Sequence, residues 1–314
     1  MNITIKSAAL EDAENLTAIQ KQSFERLYQI YKDEANPFLR GSDEIKYHIV
    51  NGTRDIYKIF ADDMLCGGVA IRNDGNGVYY LHRIYVLPQL QGKGVGKKAI
   101  KLCECNYPDA KRWAVDFPID QIANKKCYEN SGYYDTGEKE AVSNNFILAF
   151  YEKAVSGIYK IQQSQLCNAA KVIRASFATV AAEFGVTEEN CPNHTSFITA
   201  EKLRNHFNQG WLMFGLYEST QLIGYVSVLN EGDGVYELHN LAVLPEYRRN
   251  GYGKQLLIFC KDKIKELGGH KIIIGIIEEN AILKNWYAAN GFNHTGTKQF
   301  DHLPFTVGLM EYAV

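Results

Sequence analysis

The chain has 314 residues, a length typical of two domains at about 150 residues each. Apolar residues are 46% and charged residues 22%, which is the composition of a globular protein with a sizeable core. The formal charge of -2 argues against a dedicated nucleic-acid binder or a membrane-surface protein. No apolar run approaches the roughly 18 residues of a spanning helix, and the polar, acidic N-terminus does not resemble a signal peptide. We therefore expect a cytoplasmic protein.

The sequence contains the same pattern twice. The segment RNDGNGVYYLHRIYVLPQLQGKGVGK (72–97) aligns without a gap with LNEGDGVYELHNLAVLPEYRRNGYGK (229–254). A second pair follows, CYENSGYYDTG (127–137) and WYAANGFNHTG (286–296). So long a repeat period indicates two domains rather than a solenoid. We predict domains at residues 1–154 and 158–314.

Both halves predict the same order of elements. The first half opens on the alternating segment Ile3–Ala8, and the second half is easier to read throughout. Its patterns predict helices at Leu166–Glu183, Glu201–Asn208, Tyr252–Leu267 and Ala281–Ala289, and strands at Ile158–Gln163, Trp211–Tyr217, Leu222–Leu229, Val235–Leu244, Ile272–Ile277 and Thr306–Tyr312. Each half is therefore predicted to be an α/β domain with a mixed sheet.

A glycine-rich loop joins a predicted strand to a predicted helix between Val243 and Gly253. The first amides of a helix lack partners and carry partial positive charge, so they suit a pyrophosphate. A nucleotide-triphosphatase loop needs GxxxxGK followed by Ser or Thr, which neither copy has. A dinucleotide loop needs GxGxxG or GxGxxA after the first strand, whereas this loop follows several strands. A glycine-rich turn without a ligand is the remaining alternative.

The loop VLPEYRRNGYG (243–253) and its copy VLPQLQGKGVG (86–96) resemble the pyrophosphate loop of the GNAT superfamily of acyl-CoA-dependent N-acetyltransferases. A later family pattern, Asn followed by Tyr and Gly-Phe, is matched by Asn280, Tyr287, Gly291 and Phe292. The first half matches it less well, with Gln121 in the place of Asn280. The resemblance covers the chain as a tandem pair and implies a duplicated GNAT acyl-CoA N-acyltransferase fold.

The resemblance implies that acetyl-CoA lies where two parallel strands splay apart, here Val235–Leu244 and Ile272–Ile277. Backbone groups near the end of the first strand would pair with pantetheine and polarise the acetyl carbonyl. The residues that the resemblance assigns to coenzyme binding are Leu241, Ala242, Val243, Arg248, Arg249, Asn250, Gly251, Tyr252, Gly253, Lys254 and Asn280 in the second half, and Tyr85, Val86, Gln91, Gly92, Lys93, Gly94, Val95, Gly96 and Lys97 in the first.

Three residues are implied to take part in catalysis. Glu237 lies where several family members carry a general base, with a solvated strand carboxylate as the alternative. His239 shares the predicted strand face of Glu237, Leu241 and Val243, and either assists the base or has a structural role. Tyr287, with Tyr128 as its copy, matches the tyrosine that protonates the leaving thiolate, and a core aromatic is the alternative. Asn280 either contacts the coenzyme or caps a helix.

The first half departs from the pattern at several positions. Tyr80 replaces Glu237, Gln91 replaces Arg248, and Gly92 replaces Arg249. We therefore predict that the C-terminal half carries the main catalysis. The N-terminal half would be structural, substrate-shaping or weakly active.

The leading hypothesis is an N-acetyltransferase that passes an acetyl group from acetyl-CoA to a primary amine in a ternary complex, with coenzyme A as product. The alternative is a non-catalytic acyl-CoA-binding module or scaffold. No metal is implied, because no cluster of ligand residues has suitable spacing. The acceptor is a small molecule or a peptide, and the protein a monomer or homodimer. Residues that line an acceptor site or belong to the core are Tyr28, Tyr31, Phe38, Tyr79 and Tyr80, and further acceptor candidates are Asp301 and His302.

Overall fold

Each repeat folds into one seven-stranded sheet with helices packed against it. The computed structural model describes residues 1–301 and 303–314, so the acceptor candidate His302 lies outside the described residues. The chain divides into two units, Met1–Val155 and Ser156–Val314. None of the described helices is long and apolar enough to span a membrane.

The N-terminal unit contains seven strands and four α-helices among its residues. They are β1 (Ile3–Ser7), α1 (Ala13–Tyr31), α2 (Ser42–Asn51), β2 (Asp55–Ala61), β3 (Met64–Gly75), β4 (Val78–Val86), α3 (Val95–Glu104), β5 (Arg112–Pro118), α4 (Ile122–Glu129), β6 (Tyr134–Ser143) and β7 (Phe146–Ala154).

The C-terminal unit repeats this order of elements in its described residues. They are β8 (Gly157–Lys160), α5 (Leu166–Glu183), α6 (Ala200–Asn208), β9 (Leu212–Glu218), β10 (Gln221–Gly232), β11 (Val235–Val243), α7 (Tyr252–Glu266), β12 (Lys271–Ile277), α8 (Ala281–Ala289), β13 (Asn293–Lys298) and β14 (Val307–Ala313). Short 3-10 turns lie at Thr195–Phe197 and Pro245–Tyr247.

The two sheets have the same strand order. The order is β1-β2-β3-β4-β5-β7-β6 in the first unit and β8-β9-β10-β11-β12-β14-β13 in the second. All described neighbours are antiparallel except β4 with β5 and β11 with β12. A parallel pair needs a crossover connection, which the helices α3 and α7 supply. The predicted α/β mixed sheet is confirmed in both halves.

The core of the C-terminal unit lies where α5 and α7 pack against β10 and β11. Residues 222–228 of β10 are all buried, as expected for a strand covered on both faces. Ile173 of α5, Leu256 of α7 and Ile272 of β12 are completely buried. The helix α7 ends as predicted before two glycines, and Gly268 has a left-handed φ of 77°.

Two sequence expectations differ from the structure. The strand predicted over Ile158–Gln163 ends at Lys160, because residues 163–165 form a 3-10 turn that leads into α5. The strand β13 was not predicted, since its sequence NHTGTK is polar, mostly exposed and without apolar alternation. It forms through antiparallel pairing with β14, a contact that local sequence does not encode.

Candidate active site

A cleft opens between the two parallel strands of the C-terminal sheet. The strands β11 and β12 are paired at three positions only, and the last pair is Glu237 with Ile273. Beyond it, residues 238–243 of β11 and 274–277 of β12 have no partner on each other among the described residues. The backbone of Leu241, Ala242 and Val243 thus lies along an open strand edge, where peptide groups are free to pair with a ligand.

A β-bulge lies in this open part of β11. Tyr225 of β10 is opposite Ala242, while Ser227 is opposite His239, so Asn240 and Leu241 together face one residue. Asn240 has a left-handed φ of 54°, which asparagine tolerates better than most residues. The bulge interrupts the regular alternation, so the single face predicted for Glu237 through Val243 does not continue past His239.

Glu237 and His239 lie side by side on β11. The Nε2 atom of His239 is 3.2 Å from Oε2 of Glu237, and both side chains are about 30% exposed. The Nε2 atom of His239 is buried and has no hydrogen-bond partner among the described residues. A half-buried carboxylate beside an imidazole is an arrangement that can accept a proton from a substrate.

A stack of rings holds His239, and sequence reasoning missed it. The rings of Trp211 and His239 are 4.6 Å apart, and on the other side Trp211 stacks on His206 at 4.0 Å. Burial lowers the pKa of His206, with smaller contributions from Lys202 and His239. These rings connect α6 and the residue before β9 to β11. His239 is far from the other two residues in the sequence, so no local pattern predicts their contact.

The loop before α7 presents a row of free amides. None of the backbone N–H groups from Arg249 to Lys254 donates a hydrogen bond within the described residues. Gly251, at the N-cap of α7, has a φ of 81°, and Arg249 also adopts a left-handed φ of 65°. Such amides at a helix N-terminus form a cradle for a phosphate group. The predicted loop residues 249–254 therefore lie together in a geometry that fits a pyrophosphate.

Arg248 ties this loop to the rest of the unit. Its guanidinium donates to the carbonyl oxygen of Val243 at 3.2 Å, to Oγ1 of Thr179 at 3.0 Å and to the carbonyl oxygen of Ser176 at 2.5 Å. Its amide donates to Pro245. Because these donors are engaged inside the protein, the side chain is placed to position the loop, whereas the sequence resemblance suggested coenzyme contact.

Replacing Arg248 with alanine should therefore lower the free energy of unfolding by about 2 kcal/mol, since three hydrogen bonds from a charged group are lost. Glutamine should recover about half of that loss. The first unit shows why, because Gln91 makes the equivalent bond from Nε2 to the carbonyl oxygen of Val86 at 2.9 Å. Denaturant unfolding of the three proteins measures the difference, and equal stability of the alanine and glutamine variants would contradict it.

Tyr287 and Asn280 both lie on α8. The Tyr287 side chain is buried between aromatic neighbours, and its hydroxyl makes no hydrogen bond within the described residues. Burial raises the pKa of this hydroxyl well above its ordinary value, so it stays protonated. Oδ1 of Asn280 accepts from the Leu283 amide at 2.9 Å. Asn280 is thus a helix cap, one of its two predicted roles.

The N-terminal unit retains part of this arrangement. The amides from Gly92 to Lys97 also lack donated bonds among the described residues, and Gly94 caps α3 with a φ of 81°. The strands β4 and β5 stop pairing at Tyr80 and Ala114, so the open edge of β4 includes the predicted Tyr85 and Val86. Tyr128 is buried like Tyr287, and burial raises its pKa.

The first unit differs where the second carries Glu237. Tyr80 donates to Oδ1 of Asp116 at 2.6 Å, which joins β4 to β5 across the point where they separate. Arg72 lies over the Tyr80 ring, 4.6 Å from its centre. His82, the counterpart of His239, has a pKa lowered to about 3, chiefly by burial and also by nearby arginines. No ion pair joins His82 to a carboxylate among the described residues, although the charge of Glu44 opposes the lowering of its pKa.

In the N-terminal unit, a second set of contacts joins the end of α1 to the segment that follows β5. Tyr31 at the end of α1 donates to Asp120, accepts from Gln121 at 2.7 Å, and stacks on Phe146 at 4.6 Å. Of the other aromatic candidates, Tyr79 belongs to the core and Tyr28 stacks on Phe38. The contacts of Tyr31 fill the space between α1 and the start of β7.

Known proteins match each half of the chain. A sequence model described as the acetyltransferase (GNAT) family matches residues 23–133 and 179–292. A ribosomal protein bS18 alanine N-acetyltransferase from Haemophilus influenzae is 31% identical over 115 residues, which are 36% of this chain and 75% of the relative.

Solved structures match at the level of one unit. The PaiA N-acetyltransferase from Thermoplasma acidophilum, in complex with coenzyme A, is 23% identical, with a TM-score of 0.44; the match covers 50% of this chain and 98% of that protein. The ribosomal-protein-S18-alanine N-acetyltransferase from Escherichia coli is 16% identical, with a TM-score of 0.42; the match covers 51% of this chain and 94% of that protein.

Proposed function

The chain belongs to the GNAT family of acetyltransferases, and on this premise we propose that its C-terminal unit transfers the acetyl group of acetyl-CoA to a primary amine. The observation that carries the proposal is the combination of the open β11 edge, the free amides of residues 249–254 and the Glu237–His239 pair in one unit. The coenzyme supplies a thioester, an acyl donor that a neutral amine attacks.

The protein groups have separate tasks in this proposal. The amides of residues 249–254 hold the pyrophosphate, with Arg249 and Lys254 adding positive charge, and Arg248 positions the loop. The free edge of β11 around Leu241–Val243 orients the pantetheine and stabilises negative charge on the acetyl oxygen. Asn280 caps α8 and so places Tyr287.

Glu237 accepts the proton that the amine must lose, with His239 beside it. Tyr287 donates a proton to the leaving thiolate, since its raised pKa keeps the hydroxyl neutral and available as a donor. Because this hydroxyl makes no hydrogen bond among the described residues, it is free to take this role.

We further propose that the N-terminal unit binds coenzyme A without catalysing transfer. Its amides from Gly92 to Lys97 support binding. Its Tyr80–Asp116 bond and its Tyr31–Phe146 stack occupy the places where a base and an acceptor would lie. Tyr128 would then have a structural role and would not protonate a thiolate.

The test is release of free thiol from acetyl-CoA in the presence of a panel of primary amines. Replacing Tyr287 with phenylalanine removes only the hydroxyl and should lower kcat by about 10- to 100-fold, because thiolate departure loses its acid. The matched variant Tyr128→Phe makes the same change in the other unit and should leave kcat within about two-fold. Thermal unfolding of both variants should match that of the parent, since neither hydroxyl makes a hydrogen bond among the described residues and both rings stay buried.

Equal losses in the two variants would contradict the division of labour between the units. If no amine of the panel gives thiol release although the coenzyme binds tightly, the alternative of a binding module is favoured.

A further inference from the structure

The C-terminal unit contains a pocket of about 400 Å³ that has no role in the acetyl transfer proposed above. Residues 191–195, in the connection between α5 and α6, form one wall, and Leu303 and Phe305, before β14, form the other. This volume falls in the range of small-molecule sites in proteins.

The pocket lies at the mouth of the cleft. On one wall, Thr195 donates from Oγ1 to Oδ1 of Asn240, the bulge residue three positions after Glu237. The other wall runs directly into β14, where Val307 pairs with Ile277, the last residue of β12. The pocket is thus linked through Asn240 to β11 and through Val307 to β12, on the side of the cleft where these two strands no longer pair.

The lining carries no charged side chain among its described residues. Pro192, Leu303 and Phe305 are apolar, and His194 lies edge-on to the rings of Phe305 and Phe177, 6.4 Å and 6.2 Å away. The Phe197 ring is also near, at 6.3 Å.

His194 itself is held in a neutral form. Its Nδ1 accepts the amide N–H of Ser196 at 3.2 Å, which leaves any ring proton on Nε2. Burial lowers the pKa of His194, which acts in the same direction. The described lining residues therefore offer apolar surface, the neutral polar groups of Asn193 and Thr195, and a neutral imidazole. None of them is a carboxylate that could balance a cation; Glu279, which accepts from the amide of Thr306 beside Phe305, is outside the lining.

The same place is filled in the N-terminal unit. Phe146 corresponds to Phe305, because Leu148 pairs with Pro118 as Val307 pairs with Ile277, and its ring stacks on Tyr31.

Resting on the proposed function, we propose that this pocket receives the body of the acceptor, and that the acceptor is a primary amine with an uncharged, apolar alkyl or aryl body. A second cation in the pocket would lose its hydration without gaining a carboxylate partner. Diamines, polyamines and aminoglycosides are therefore poor acceptors.

The experiment compares kcat/KM for hexylamine and 1,5-diaminopentane, which have nearly the same length and differ in a terminal methyl or ammonium group. We expect a ratio of at least 100 in favour of hexylamine. Asn193→Asp places a carboxylate on the pocket wall and should reduce that ratio by about 10-fold or more. Asn106→Asp adds the same charge on the exposed surface of the N-terminal unit and should leave the ratio unchanged.

A second variant tests the apolar contact directly. Phe305→Ala should lower kcat/KM for hexylamine about 10-fold and leave that for methylamine, which has no body to fill the pocket, unchanged. A ratio near 1 between the two long amines, or equal losses for hexylamine and methylamine, would overturn the inference while acetyl transfer itself stands. Acetylation of no amine at all would overturn the proposed function and this inference with it.

Discussion

Replacing Glu237 with glutamine should lower kcat/KM for acetyl transfer by about 10²- to 10³-fold, the usual effect of removing a general base. The substitution keeps the shape of the side chain and removes its ability to accept a proton. Glu237 is half-buried on β11 and has His239 at 3.2 Å, so little rearrangement is expected around the amide. Binding of coenzyme A, measured by calorimetry, should persist because Glu237 is not part of the amide cradle.

The pH profile separates this role from a structural one. The deficit should be largest at acidic to neutral pH and should shrink as the pH rises toward the pKa of the acceptor amine. An amine that is already neutral needs no base, so kcat/KM of the variant then approaches that of the parent. A uniform loss at every pH would show that Glu237 positions the substrate without accepting its proton.

The matched control is Tyr80→Phe in the N-terminal unit, at the position equivalent to Glu237. It breaks the hydroxyl bond to Asp116 and should cost about 1–2 kcal/mol of stability. Turnover should remain within about two-fold if catalysis belongs to the C-terminal unit. A large loss in this variant would move the active site to the other half.

Much of the architecture was predictable because the two repeats are two sequences of the same fold, and a pattern present in both is more reliable than a pattern seen once. A hairpin signal, a strand, a glycine-rich loop and a helix recur in order, and these are local patterns with local causes. The helix predicted over Tyr252–Leu267 differs from α7 by one residue, and the left-handed Gly251 lies at its predicted start. The position of the cradle follows from these elements alone.

Apart from the early end of β8 at Lys160, the parts that sequence did not predict depend on contacts between segments that pair or pack. The Tyr80–Asp116 bond, the contact of Trp211 with His239 and the bond from Thr195 to Asn240 join residues far apart in the chain. The bulge at Asn240 is a further case, because register depends on the pairing of two strands. These contacts, more than the shared motifs, distinguish the two units.

Replacing Gly253 with aspartate should weaken binding of coenzyme A to the C-terminal unit by about 10- to 100-fold, or ~1.4–2.8 kcal/mol. The new carboxylate would lie in the first turn of α7, where it repels a pyrophosphate and competes for the same amides. There is room for it, because a Cβ at Gly253 would be 3.6 Å from Trp286, an ordinary contact. An acidic residue in a first helical turn is stabilising, so the variant should remain folded.

Asparagine at the same position is the control for size, since it fills the same space without the charge. Gly253→Asn should retain most of the affinity, and calorimetric titration with coenzyme A compares the two. If both variants bind equally weakly, the loss comes from volume and the electrostatic account of the cradle fails.

The matched variant in the other half decides how many coenzyme sites the chain has. A Cβ at Gly96 would be 3.5 Å from Sγ of Cys127, so aspartate fits there as well. Because each unit presents six amides without hydrogen bonds among the described residues, we expect two sites in the parent chain, and each aspartate variant should weaken one of them. Gly253→Asp alone should raise the KM for acetyl-CoA in the thiol-release assay, since its unit combines the cradle with Glu237 and an open cleft. A single site that Gly96→Asp abolishes would instead place the coenzyme in the N-terminal unit, and catalysis with it.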